Sequence, residues 1–151
     1  LGAPSEVKPF PDAPNLCITD NPPLMRYLVE NFVSKFASFR AAGGLQAMPY
    51  LPMNSLQTAG NARTHYSETM AAPGAEVSLV WEELGAPIAA DVPPQMGPTG
   101  KHQMYSVFQE SKRAAILVNG RAMPGRVFPR DFLGRKMSTA FLAFSETWVK
   151  P

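Results

Sequence analysis

The chain has 151 residues, enough for one domain with a hydrophobic core, and its apolar fraction of 45% excludes a globally disordered protein. Only 17% of the residues are charged and 16 are proline, which indicates either a surface partly covered by something else or a loop-rich monomer. The net charge of +2 hides a polarised chain, since residues 1–100 carry a net charge of −4 and residues 101–151 one of +6.

The single cysteine, Cys17, excludes an internal disulfide and therefore a disulfide-stapled secreted domain. Between Leu16 and Ile18, it is expected to be a small buried hydrophobe rather than a nucleophile. No run of 18 apolar residues is present, so we expect no membrane-spanning segment. The chain starts at Leu1 instead of Met, which indicates processing or trimming from a longer precursor.

An extended N-terminal arm is predicted over residues 1–21, because prolines fix φ and remove amide donors there. The arm also carries Val7 and Phe10, which a solvated linker would not need. It is therefore expected to lie against a surface, either its own or that of a partner.

A long amphipathic helix is predicted over about residues 22–42. Asn21 can cap it, Pro22 and Pro23 suit its first turn, and Gly43 would end it. The apolar stripe recurs at spacings of three and four, through Leu24, Leu28, Phe32, Phe36 and Phe39.

The middle of the chain gives weaker signals. Residues 45–75 predict an irregular region in which 61–72 form a short helix or strand, or which wraps around something. Residues 75–85 favour a strand, with a short helix as the alternative. Residues 86–100, with four prolines, predict a Pro-rich internal connection.

The C-terminal third favours strands. Asn119 and Gly120 follow a β-like run and predict a type I′ hairpin turn. Residues 137–150 alternate in a way that favours a strand, although a helix beginning at Ser138 fits as well. The predicted fold is a single α+β domain over 1–151: one long helix (about 22–42) on a small, mostly antiparallel sheet, with long Pro-rich ordered arms and loops.

Motifs for chemistry are sparse. The segment "GPTGKH" (97–102) lacks the first glycine, the hydroxyl and the preceding strand of a phosphate-binding loop. Two histidines and one cysteine do not make a typical zinc site, so no metal or cofactor is expected. The compact polar group of residues 65–68 (His65, Tyr66, Ser67 and Glu68) is the one candidate catalytic or ligand site, although such residues more often satisfy turns.

A basic segment near the C-terminus is the strongest candidate for partner binding. Its cations are Arg113, Arg121, Arg126, Arg130, Arg135 and Lys136. Arginine suits bidentate recognition of carboxylates or phosphates. The alternatives are protection of a strand edge, pairing with the acidic half of the same chain, an acidic protein partner, and nucleic acid or anionic lipid headgroups.

Taken together, these patterns predict a non-catalytic structural or accessory subunit of a larger multiprotein assembly, which docks through Pro-rich arms and the basic segment onto other protein subunits. The first alternative is a polyanion-binding module for nucleic acid or lipid headgroups. The second is a small enzyme or ligand-binding domain with a site near 65–68.

Overall fold

Strands dominate the computed structural model, which describes residues 16–40 and 44–151. The elements in chain order are β1 (Cys17–Thr19), α1 (Pro22–Asn31), a 3-10 turn (Val33–Lys35), α2 (Ala37–Arg40), β2 (Tyr50–Pro52), β3 (Ser55–Asn61), β4 (His65–Ala72), β5 (Ala75–Val92), β6 (Gln103–Val118), β7 (Arg121–Ala122), β8 (Pro129–Phe132), β9 (Arg135–Ser138) and β10 (Ala140–Val149).

The principal sheet has the strand order β10-β6-β5-β4-β3, and each neighbouring pair in it is antiparallel. Strand β7 folds back onto the end of β6. Two small sheets accompany it: β1 pairs with β2 in parallel, and β8 pairs with β9 as an antiparallel hairpin. Because β3 to β6 pair in chain order, the sheet is a meander that β10 extends on the far side of β6.

The predicted Asn119–Gly120 turn is confirmed. Asn119 has φ 49° and Gly120 has φ 75°, the positive values that a type I′ turn requires. Asn119 also ties the turn to β5, because its side chain accepts from the Glu76 amide at 2.8 Å and its own amide donates to the Glu76 carbonyl at 2.8 Å. The strands expected over 75–85 and near the C-terminus are confirmed as parts of β5, β9 and β10.

The predicted α+β class with one long helix over 22–42 is wrong. The helix begins as expected, with the Asn21 side chain accepting from the Leu24 amide at 3.1 Å, but it ends at Asn31. At its end the Asn31 and Ser34 side chains donate to backbone carbonyls of the preceding turn, at 2.9 Å each, which competes with continuation of the helix. A 3-10 turn and a four-residue helix follow.

The predicted small sheet is also wrong, because proline-containing stretches that indicated loops take part in strands. Strand β5 runs on to Val92, so the Pro-rich connection expected over 86–100 is a loop only from residue 93 onward. Pro87 lies directly after a register shift between Leu84 and Pro87 in the β5–β6 pair. A bulge tolerates a residue that lacks an amide donor, which explains a proline inside a long strand.

The region 45–75 is a set of strands rather than an irregular segment, and 65–72 form a strand, one of the alternatives predicted for 61–72. Of the predicted arm over 1–21, residues 1–15 lie outside the described part of the chain. Residues 17–19 form β1, and the Thr19 hydroxyl accepts a hydrogen bond at 3.0 Å from the amide of Asn21, the residue that caps α1.

The core lies where β5, β6 and β10 meet the β8–β9 hairpin. Its buried centre is Ala90, Val92, Met104 and Phe108, and Phe132, Phe141 and Trp148 pack against it. The segment that follows α1 attaches to the end of this core through aromatic contacts. The rings of Phe32 and Phe36 lie 5.5 and 6.0 Å from that of Trp148 in edge-on geometry.

Candidate interaction surfaces

The predicted basic residues divide into paired and unpaired cations. Arg113 on β6 lies 3.4 Å from a Glu82 carboxylate oxygen and 3.0 Å from one of Glu83. Lys136 on β9 lies 2.9 Å from Asp131 across the β8–β9 hairpin. These ion pairs are exposed, so each contributes little to stability. They show that part of the basic segment neutralises acids of the same chain.

Arg130 is half-buried and packs against aromatic rings at the edge of the core. Its guanidinium carbon lies 4.8 Å from the centroid of the Phe132 ring and 4.6 Å from that of Phe141. Burial lowers the pKa of Arg130 from its ordinary value, and its Nε has no hydrogen-bond partner in the part of the chain that the structure describes. Cation–π contact with two rings therefore holds this arginine at the core boundary.

The remaining three cations, Arg121, Arg126 and Arg135, are exposed and make no ion pair within residues 16–40 and 44–151. Arg121 and Arg135 do not share one site. Arg121 pairs with Val118 at one end of β6, whereas Arg135 lines a cleft beside Ala90. Ala90 lies opposite residue 106, so about twelve residues of β6 separate the two positions, or about 40 Å. Binding of a partner by these residues stays a prediction, in which Arg121 and Arg135 make separate contacts.

The candidate site at residues 65–68 lies within a single strand, β4. His65 and Ser67 alternate with Tyr66 and Glu68, so successive side chains point to opposite faces of the sheet. The His65 ring nitrogen Nδ1 contacts the Thr64 hydroxyl at 3.1 Å, and no hydrogen bond joins His65 to Ser67 among the described residues. Within residues 65–68, the structure brings no nucleophile and base into hydrogen-bond contact.

A cleft of about 340 Å³ lies between the end of β5 and the tip of the β8–β9 hairpin. Its walls include Ile88, Phe132 and Met137, with Asp91 and Arg135 at its polar side. The Asp91 carboxylate already accepts a hydrogen bond from the Gln103 side chain. The cleft is mostly apolar and open, and it lacks a cluster of convergent polar groups that would define a ligand.

The outer edge of β3 is a different kind of surface. All seven residues of this strand, Ser55–Asn61, are exposed, and among the described residues β3 pairs only with β4. The surrounding run of residues 53–62 contains neither a charged residue nor a proline. Natural sheets commonly protect such edges with charge, proline or bulges.

Large apolar side chains are also exposed on α1. Leu24 is 50% exposed and Tyr27 is 54% exposed, and their spacing of three places them on one side of the helix. Val29 is the only side chain that α1 buries. Apolar residues therefore lie both on the side of α1 that faces the protein and on the side that faces solvent.

Sequence reasoning missed the edge of β3, although a signal was present. The uncharged run 53–62 is visible between Pro52 and Arg63, but Ser55–Asn61 lacks the apolar alternation by which strands are recognised. Leu24 belongs to the predicted apolar stripe of the helix, but the structure leaves it half-exposed.

Comparison of the chain with protein-family models, curated proteins and solved structures gives no match. Within residues 16–40 and 44–151, none of the helices has the length and apolar character needed to cross a membrane. Cys17 is a free thiol. The interpretation of function therefore depends on the surfaces themselves.

Proposed function

We propose that this chain is a non-catalytic structural subunit of a larger multiprotein assembly, in which neighbouring subunits cover surfaces that its own fold leaves open. The observation that carries the proposal is the apolar outer side of α1, formed by Leu24 and Tyr27.

An exposed apolar residue on its own needs no explanation, because folded proteins expose much apolar surface. A short helix is different, since a surface helix normally turns one apolar stripe inward and a polar side outward. In α1 the inward side holds Val29, while Leu24 and Tyr27 lie half-exposed on the outward side. A helix that is apolar on both sides fits burial between two layers, of which this chain supplies one.

Covering Leu24 and Tyr27 would be favourable by the usual area relation. Complete burial of a large apolar side chain contributes about 1.5–3 kcal/mol, so covering two half-exposed side chains contributes about 1.5–3 kcal/mol in total. That amount supports one contact within an interface and does not by itself hold two subunits together, which agrees with an assembly that uses several surfaces.

The exposed cations add polar contacts to the proposal. Arg121, Arg126 and Arg135 are exposed and can meet carboxylates of neighbouring protein subunits, and the wide separation of Arg121 from Arg135 suits separate contacts better than one ligand. The N-terminal arm remains part of this proposal as a further docking segment, because its prolines lack an amide donor and disfavour both helix and central strand.

Native mass spectrometry of the chain, together with light scattering over a range of concentrations, tests the proposal. We expect masses that are multiples of 16.4 kDa or the mass of a complex with other subunits. The double variant Leu24→Gln with Tyr27→Gln should shift the population toward the single chain, with the circular dichroism spectrum unchanged. Met96→Gln is the matched control, because Met96 is a 70% exposed apolar residue in the loop after β5 and not on α1. A mass of one chain at every concentration would contradict the proposal.

A further inference from the structure

We propose that the cleft between the end of β5 and the tip of the β8–β9 hairpin binds a small molecule that has an apolar body and one carboxylate, held by the Arg135 guanidinium. Such a cleft can hold a ligand in a single chain as well as in an assembled subunit, so the proposal goes beyond the proposed function. One cation without an acidic partner, rather than a cluster of polar groups, determines the class of the ligand.

The walls of the cleft are apolar on both sides. Ile88, Ala90 and Phe108 belong to the side of the sheet, and Phe132 and Met137 belong to the side of the hairpin. The rings of Phe108 and Phe132 meet edge to face with centroids 5.4 Å apart, so the two walls are packed together at the base of the cleft. Burial of an apolar ligand body between these walls would remove apolar surface from water, which is the usual source of affinity in such clefts.

The mouth of the cleft is accessible and is also apolar. Met96 and Leu133 line it while 70% and 40% exposed, respectively. Strand β4 pairs with β5 only as far as Glu82, so among the described residues the later part of β5, including residues 88–91, is an edge without a further strand. A small molecule can therefore enter from this edge without displacing any described element.

The β8–β9 hairpin turns cations toward the cleft and its acid away from it. Arg135 and Phe132 lie opposite each other across the hairpin, and such cross-strand neighbours share one face. The next pair, Asp131 and Lys136, lies on the other face, where the two side chains are 2.9 Å apart as an ion pair. Arg135 is exposed and has no ion pair within the ranges that the structure describes.

Arg130 adds a second positive charge on the face that carries Arg135. It lies two residues before Phe132 on β8, and its guanidinium carbon is 4.8 Å from the centroid of that ring. No carboxylate pairs with it among the described residues. The cleft wall thus has one guanidinium at its surface and another behind the Phe132 ring, which favours an anionic group in the ligand.

The acids near the cleft do not neutralise this charge. Asp91 is the one acid among the lining residues, but it alternates with Ala90 and Val92 of the core, so its side chain lies on the opposite face of β5. There its carboxylate accepts a hydrogen bond from the Gln103 side chain. Glu110 does not line the cleft, and its carboxylate accepts from a backbone amide of β9 at 2.9 Å.

The size of the cleft limits the size of the ligand. Its volume of about 340 Å³ equals that of roughly eleven water molecules in the liquid, so an apolar acid of about a dozen non-hydrogen atoms fills it. Decanoate is a probe of this size. Its carboxylate can accept two parallel hydrogen bonds from the Arg135 guanidinium, the geometry for which arginine is suited.

The test is an NMR titration of the full chain, labelled with ¹³C at the methionine methyl groups, with decanoate as the probe. Met96 and Met137 line the cleft, whereas Met70 lies on β4 opposite Leu56. We expect decanoate to shift the signals of Met96 and Met137, assigned from Met96→Leu and Met137→Leu, and to leave that of Met70 in place. A ligand of this size should bind with a Kd on the order of 1 mM, which this method can measure. Decylamine, which reverses the charge on the same chain length, should bind about tenfold more weakly.

Arg135→Gln should weaken decanoate binding by about five- to tenfold, because it removes a charge-assisted hydrogen bond in a partly open site. Lys136→Gln is the matched control, since it removes the same charge from the next residue of β9, on the face turned away from the cleft. In physiological salt it should change the Kd by less than about twofold. Circular dichroism of both variants checks the fold.

Three results would overturn the proposal: no shift of the Met96 and Met137 signals at about ten times the expected Kd, equal affinity for decanoate and decylamine, or equal affinity of Arg135→Gln and Lys136→Gln for decanoate. Each of these would leave the proposed function standing, because none depends on the native mass. A single-chain mass at every concentration would contradict the proposed function and leave the binding of decanoate unaffected.

Discussion

Ser111 on β6 is predicted to be a strong determinant of stability, although it is small and polar. Among the described residues of the principal sheet it is the most buried, with no exposed surface. Its hydroxyl lies 2.7 Å from the Glu82 carbonyl and 2.5 Å from the Arg113 carbonyl, and it accepts from the Glu82 amide at 3.1 Å. Ser111 pairs with Leu84, the last residue before the register shift of the β5–β6 pair, so the hydroxyl supplies hydrogen bonds beside this irregularity.

Replacing Ser111 with alanine removes the hydroxyl and leaves the Glu82 amide and a buried carbonyl without this partner. An unsatisfied buried polar group costs about 1–3 kcal/mol, so we expect Ser111→Ala to lower the free energy of unfolding by about 2 kcal/mol. For a chain of this length, that corresponds to a fall in Tm of about 4–8 °C. Alanine fills nearly the same volume, so cavity formation adds little to this figure.

Urea denaturation followed by circular dichroism measures the change, at one fixed chain concentration because association would shift apparent stability. Ser145→Ala is the matched control, since Ser145 is exposed on β10 and a surface substitution usually changes stability by less than about 0.5 kcal/mol. If Ser111→Ala and Ser145→Ala unfold at the same urea concentration, the hydroxyl does not stabilise the bulge and the reasoning fails.

Two further predictions concern single side chains. Trp81→Phe should lower the Tm by several degrees, because Trp81 is 5% exposed and its indole N–H donates to the Phe141 carbonyl at 2.9 Å. Trp148→Phe, which removes an exposed bond to Glu146, should lower the Tm less, and equal losses in thermal melts would contradict this. Burial raises the pKa of Cys17, so its thiol should react more slowly with a disulfide reagent at pH 8–9 in the folded than in the unfolded chain, and equal rates would refute the burial. Since the folded state then holds the proton more tightly, this group contributes stability that falls as the pH rises above the ordinary value of 9.0.

Local signals in the sequence predicted several boundaries correctly. The start of α1 follows from Asn21 and the two prolines after it, and the turn at Asn119–Gly120 follows from residues that tolerate positive φ. In each case the structure is decided by a few neighbouring residues, which is the range over which propensity acts.

The errors came from contacts between distant segments. The apolar spacing of Phe32 and Phe36 fits a continuing helix, but the rings are held by Trp148, more than a hundred residues away in the chain. Pro87 indicated a loop because its bulge depends on the register with β6, which the local sequence does not specify.

The candidate surfaces were predictable only in part. The cations of the basic segment are visible in the sequence, but their separation along β6 and the stacking of Arg130 on two phenylalanine rings require the folded chain. The edge position of β3 follows from the strand order of the sheet, which the local sequence does not reveal.

The order of strands in the principal sheet also bears on how the chain folds. Strands β3 to β6 pair with their sequence neighbours through connections of three, two and ten residues, so these hairpins close locally and early. Strand β10 reaches β6 only after closing a loop of roughly thirty residues between Ser111 and Ala140, which is entropically more costly. Until it arrives, β6 presents a second open edge, so a chain that has folded only as far as its meander can add strands on both sides. The last strand thus completes the core and also limits growth of the sheet to the side of β3.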